Sequence, residues 1–291
     1  MDRLTELLER RKAILGDGAM GTMLHLAGLT DGAPERWNVE RPDVVSSIHR
    51  AYVEAGSDFI SSNTFGGTRN RLQLDGLADR AFELNQAGAR LAREAAGTRL
   101  VAGSMGPTGE LMDPLGLLTP DGARASFAEQ AKALKAGGAD FALIETMSAL
   151  EEVQAAVEGA REGGLPAVVT MSFDTHFRTM MGIRPVDALK TVAGWGVTVV
   201  GANCGNGPAE IERVMTEMAQ AKPEGIFLMA KSNAGMPRWK DDRITYGGTP
   251  EVMADYARRM KVLGVQVIGG CCGSTPEHIA AMHDALTAPM A

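Results

Sequence analysis

Hydrophobic residues in this chain follow two rhythms. Short, unbroken apolar runs recur, and each is followed by a turn and then by a longer stretch with apolar positions at helical spacing. The runs are AILGD (13–17), DFISSN (58–63), LVAGS (100–104), FALIE (141–145), AVVTMSF (167–173), VTVVGAN (197–203), IFLMAK (226–231) and VQVIGG (265–270). Between them lie amphipathic segments such as PDVVSSIHRAYVEAG, GARASFAEQAKALKAGG and TPEVMADYARRMKVLG. Several close on glycine, as helix ends commonly do. Strands with one wet face alternate polar and apolar residues; these runs do not, which predicts strands covered on both faces. Eight strand–helix units in 291 residues predict an α/β fold, a (β/α)8 barrel forming a single domain over residues 1–291. A doubly wound open sheet is the alternative, because strand number alone does not establish closure. Three post-strand connections are long, at 105–120, 174–184 and 232–248, and in a barrel all three lie on the C-terminal face where substrate is handled.

Composition narrows the function classes. A net charge of -7 argues against nucleic acid or an anionic membrane as the main partner. No apolar run reaches the roughly 18 residues of a membrane span. The N-terminal MDRLTELLERRKAIL is charged and helix-like, without the apolar centre of a signal peptide. Three cysteines make an odd count and no disulfide framework, which suits a reducing cytoplasm.

The strand ends carry the chemistry. Asp17 closes the first run, Asn63 the second and Glu145 the fourth; Cys204 follows the sixth, Asn233 the seventh, and Cys271 with Cys272 the eighth. In a barrel these positions surround one mouth, so three thiols distant in sequence can meet. Three thiolates suit a soft or borderline cation, zinc foremost, and three protein ligands leave a fourth position open, as in a catalytic site. Adjacent side chains on a strand point opposite ways, so Cys271 and Cys272 converge only if the chain turns sharply; Gly269, Gly270 and Gly273 supply that freedom. Thr275 and Pro276 then read as N-cap and first residue of the last helix. The competing readings are a small apolar role for Cys204 and a redox role for the adjacent pair, the latter disfavoured because redox pairs are spaced C-x-x-C. His278 is a candidate extra ligand, although its place suits lining the first turn of that helix. Asp17 and Glu145 could serve a turn or a cap. At a shared mouth with a metal they suggest a clamp for a cationic group such as an amino acid's ammonium, with the glycines of GDGAMGT letting backbone N–H groups reach the matching carboxylate. That turn lacks the lysine of a P-loop.

The chain resembles the homocysteine S-methyltransferases through GDGAMGTML (16–24), SNTFGG (62–67), GSMGPTGE (103–110), GANCGNGP (201–208), SNAGMP (232–237) and IGGCCGSTPEHI (268–279). That family includes betaine–homocysteine and S-methylmethionine–homocysteine methyltransferases and the homocysteine module of cobalamin-dependent methionine synthase. The resemblance implies a zinc barrel with Cys204, Cys271 and Cys272 as ligands, Asp17 and Glu145 on the homocysteine amino group, and Asn233 as an exchangeable ligand when homocysteine is absent. It implies no catalytic residue beyond the zinc-activated substrate thiol, which attacks a methyl carbon in line without a general base.

The methyl donor is less sharply drawn. The vertebrate betaine enzymes of that family carry tyrosines where Thr146 and Gly66 stand, and NTF and NAG look more like the methionine synthase module. Segment 171–183, MSFDTHFRTMMGI, looks like bacterial betaine–homocysteine methyltransferases, and Trp37 and Phe65 could wall a donor pocket by cation–π contact. A small onium donor, betaine first, is therefore expected; S-methylmethionine, or a corrinoid protein partner in a split methionine synthase, are the alternatives. A zinc hydrolase or lyase would favour histidine and carboxylate ligands. A non-catalytic subunit that presents homocysteine to a partner is the remaining reading.

Overall fold

The computed structural model describes residues 2–240 and 243–288. Eight parallel strands form one sheet that curls into a nearly closed barrel, a single-domain (β/α)8 fold. In chain order they are β1 (Ile14–Leu15), β2 (Phe59–Ser61), β3 (Leu100–Met105), β4 (Phe141–Met147), β5 (Ala167–Met171), β6 (Val199–Cys204), β7 (Phe227–Ser232) and, after a hairpin, β10 (Val267–Gly270). Each falls on one of the eight runs. The neighbour order β1-β10-β7-β6-β5-β4-β3-β2 leaves β1 and β2 facing each other across a seam. Asp58 bridges that seam: its N–H donates to Leu15 O at 2.7 Å and its carboxylate accepts from Leu15 N at 2.8 Å. Closure here rests on a side chain standing in for ladder bonds, which removes exposed sheet edges.

The N-terminal end of the barrel is plugged. Asp2 caps the helix Arg3–Arg10 by accepting from Thr5 N, and Leu4 and Leu8 of that helix are buried. They pack on inward residues of the strands, including Ile14, Phe59, Leu100, Phe141, Val168, Val199, Met229 and Val267. Phe59 and Phe141 meet edge to face at 5.7 Å in this layer. With the lower end filled, the open space lies at the C-terminal ends of the strands. The connection 232–248 holds an antiparallel hairpin, β8 (Pro237–Lys240) and β9 (Arg243–Tyr246), that the apolar periodicity does not reveal. Among the described residues no helix is long and apolar enough to cross a membrane.

Candidate metal centre and cavity

Cys204 ends β6 and the Cys271–Cys272 pair follows β10. Their sulfur atoms all lie within 4.8 Å of one another, with Cys204 Sγ and Cys271 Sγ 3.0 Å apart. Two backbone devices bring them together. Cys204 is in the left-handed region at φ 62°, rare for a non-glycine residue, which turns its side chain out of the strand's alternation. After Gly270 the chain folds over itself: Cys271 N donates to Ser232 O at 2.7 Å and Ser274 N to Cys271 O at 3.0 Å, around Gly273 at φ 81°. A Cβ on Gly273 would stand 2.2 Å from the Tyr246 ring of β9, so the hairpin packs directly on this turn. Hydrogen bonding from Cys204 and then Cys271 pushes the Cys272 thiol down, while hydrogen bonding with Cys271 and then Cys272 pushes Cys204 up.

Asn203 sits beneath the trio, fully buried. Its Oδ1 accepts from Thr146 N and from Thr170 Oγ1, both at 2.8 Å; its Nδ2 donates to Thr146 Oγ1 at 2.7 Å and approaches Cys204 Sγ at 3.4 Å. Thr146 is also left-handed, at φ 63°, and the β4–β5 register shifts between Ile144 and Met147. That irregularity re-aims the end of β4, as bulges beside active sites do. It presents Glu145 to the cavity, where Ser104 Oγ donates to Glu145 Oε1 at 2.5 Å. Burial raises the Glu145 pKa to about 7, against the lowering pull of Lys231.

Lys231, on β7, is, like Asn203, a group that sequence reasoning missed. It is buried, and its ammonium donates to Asp17 Oδ1 at 2.9 Å and Ser61 Oγ at 3.4 Å. Burial alone would lower its pKa, but Asp17 and then Glu145 outweigh that and hold it charged. Its signal in the sequence is a lone lysine inside an apolar strand, a position that demands a buried counter-charge.

Gly18, Met20, Thr22, Glu145, Lys231 and the three cysteines help line a cavity of about 450 Å³ at the barrel mouth. Asn63 and Phe65 lie on the same wall, Phe65 with 43% of its surface exposed. Two of the expected site residues, Trp37 and Asp17, are not among those lining the cavity. Trp37 is not on the wall: it is 7% exposed, part of the main core, with the Arg41 guanidinium 5.3 Å from its ring centroid. It starts the short helix Trp37–Glu40, whose buried residues are Trp37 and Asn38, so its bulk serves packing. Asp17, 1% exposed, lies behind the wall, and its carboxylate accepts from Ser61 N at 2.6 Å, Ser61 Oγ at 3.0 Å and the Lys231 ammonium at 2.9 Å. His278 makes the capping box with Thr275 that starts the last helix and bonds Gly248 O at 2.9 Å, outside the thiol cluster.

The donor set fits a thiophilic metal. Three sulfurs converge, and the Oδ1 of buried Asn233 has no hydrogen-bond partner while its Nδ2 donates to Gly205 O at 2.6 Å. Asn233 N donates to Cys204 O at 3.3 Å, which ties this residue's backbone to the thiol-bearing strand end.

Fold and site together define a (β/α)8 protein with a three-cysteine centre at its C-terminal mouth. The chain belongs to the homocysteine S-methyltransferase family, whose pattern matches residues 14–286. It is 35% identical to the methionine synthases of Mycobacterium leprae and Mycobacterium tuberculosis, over 94% of this chain but only 24% and 25% of theirs, so it spans about a quarter of those relatives. Among solved structures it is similar to the Escherichia coli homocysteine methyltransferase MmuM in its metallated form. That match has 25% identity and a TM-score of 0.78, and covers 96% of this chain and 98% of that one.

Proposed function

We propose that this protein holds zinc through Cys204, Cys271 and Cys272 and methylates the thiol of homocysteine to give methionine. The observation that carries this reading is the convergence of three sulfurs within 4.8 Å on the wall of a cavity that also presents Glu145. Zinc bound there supplies a Lewis acid that keeps the substrate sulfur, otherwise a thiol of pKa near 8.5, deprotonated at neutral pH. The chain's own residues do the rest. Glu145 meets the substrate ammonium, Ser104 fixes that carboxylate, Asn203 holds the strand ends in register, and the cavity aligns thiol and donor. Methyl transfer to sulfur needs no general base at carbon.

Two donors fit this cavity. A methyl group borne on a protein-held corrinoid is supported by the 35% identity to methionine synthases, and by a wall with Phe65 as its one aromatic among the described residues. Betaine, the donor expected from the sequence, loses Trp37 as an aromatic wall. It keeps Phe65 on the wall, where the acids Glu35 and Asp75 are accompanied by the Arg71 guanidinium and Glu35 already accepts from Gly66 N at 2.6 Å. The deciding assay gives zinc-loaded protein and homocysteine, in separate tubes, methylcobalamin, betaine, S-methylmethionine and dimethylsulfoniopropionate. Methionine from methylcobalamin alone supports the corrinoid reading, and methionine from one onium compound alone overturns it. No methionine in any tube counts against the methyl transfer itself.

A further inference from the structure

The reaction as proposed leaves one buried cation without a task. Lys231 lines the cavity together with Glu145 and Cys271, yet only 3% of its surface is exposed. Its ammonium has three N–H donors. Asp17 Oδ1 and Ser61 Oγ take two of them; among the described residues the third meets no oxygen or nitrogen acceptor, and the Phe59 ring centroid lies 6.0 Å from the ammonium. The lysine is held firmly. Its stem crosses Gly269, its register partner on β10, where an added Cβ would stand 3.1 Å from Lys231 Cγ and 3.3 Å from Cε. Asp17 is fixed in turn by Ser61 N and Oγ across the β1–β2 seam. A buried ammonium with an unused donor on a cavity wall is a place for an anion, since a desolvated donor without a partner is costly.

We infer that Lys231 is a substrate-binding residue that donates its third N–H to the α-carboxylate of homocysteine, while Glu145 takes the α-ammonium. This rests on homocysteine being the substrate. The cavity then reads the zwitterionic head of an α-amino acid through one buried charge of each sign, and Asp17 is a positioning residue that holds Lys231 in place. The two groups are neighbours on the same wall, and Lys231 is the strongest favourable charge on Glu145. A neutral zwitterion set between them adds no net charge to a buried site.

The test is binding to zinc-loaded protein, which needs no methyl donor. Homocysteine is compared with 3-aminopropane-1-thiol, which lacks the carboxylate, and 4-sulfanylbutanoate, which lacks the amine. Wild type should bind homocysteine more tightly than either. Lys231→Met should shrink the preference over 3-aminopropane-1-thiol by about tenfold to a hundredfold, the loss of one charge-assisted bond. It should leave the preference over 4-sulfanylbutanoate within a few-fold, and Glu145→Gln should do the reverse. Lys231→Arg keeps the charge and should retain most of the carboxylate preference, which covers the case of a Met variant that fails to fold. Equal weakening of all three ligands by Lys231→Met, or loss of carboxylate preference in neither Lys231 variant, would reduce the lysine to a structural ion pair and overturn the inference. No binding of homocysteine by wild type would instead overturn the proposed substrate.

Discussion

Asn203 and Thr146 hold each other by two hydrogen bonds, the Thr146 N–H donating to Asn203 Oδ1 at 2.8 Å and Asn203 Nδ2 donating to Thr146 Oγ1 at 2.7 Å. Each has a left-handed residue beside or within the pair, Cys204 next to Asn203 and Thr146 itself. One amide thus ties the end of β4, which carries the acid, to the end of β6, which carries a sulfur.

Asn203→Ala should therefore damage both halves of the site together. It strands the buried Thr146 N–H and Thr170 hydroxyl, at a cost of about 1–3 kcal/mol. A lower Tm with reduced metal content is expected. Wild-type values of both would show that the strand ends keep their geometry without this amide.

Glu145 gives a pH signature. Its folded pKa of about 7 stands above the unburied value of 4.5, so the folded state binds the proton more tightly than the unfolded chain. The group's contribution is most favourable below pH 4.5 and is lost as pH rises through about 7, amounting to roughly 3 kcal/mol in the metal-free protein. Glu145→Gln should accordingly raise the Tm of metal-free protein at pH 8 relative to wild type while weakening homocysteine binding. A variant that is less stable at pH 8 would show that the ionised carboxylate is compensated by partners other than Lys231 and Ser104.

Asp17→Asn leaves Lys231 as a buried cation without its counter-charge. Breaking a buried pair by removing one partner costs about 3–5 kcal/mol. Chemical denaturation should register that loss, and homocysteine binding should weaken through the displaced lysine. Unchanged stability would mean that Ser61 and Glu145 suffice to hold the ammonium.

Trp37 separates packing from donor recognition. As a core residue it should cost about 3–5 kcal/mol on replacement by alanine. Among molecules that remain folded, the KM for the methyl donor should not change. A raised donor KM at normal stability would return Trp37 to the pocket.

The barrel was legible because its strands are buried on both faces, so each of the eight runs marks a strand without help from tertiary context. The thiol trio was legible for a related reason: in a barrel every strand end lies at a mouth, so Cys204, Cys271 and Cys272 had to be near one another once the strands were placed. Facing direction was not legible. Trp37 sits close in sequence to the cavity-lining Pro34 and Glu35, and only the course of its short helix turns it into the core. Asp17 ends β1 as expected, but which oxygen meets which partner depends on Lys231, more than two hundred residues away in the chain. The paired strands Pro237–Lys240 and Arg243–Tyr246 were hidden because each is only four residues long, too short for its alternation to stand out from a loop.

The central claim is that three cysteines form one metal centre on which methyl transfer depends, and metal analysis tests it most directly. Wild-type protein purified with zinc should carry about one equivalent per chain, as an open three-ligand site would. Cys204→Ala, Cys271→Ala and Cys272→Ala should each lose most of that zinc and the methyl transfer with it, while far-ultraviolet circular dichroism stays that of the folded barrel. A folded Cys271→Ala protein that kept a full equivalent of zinc and full activity would contradict the account.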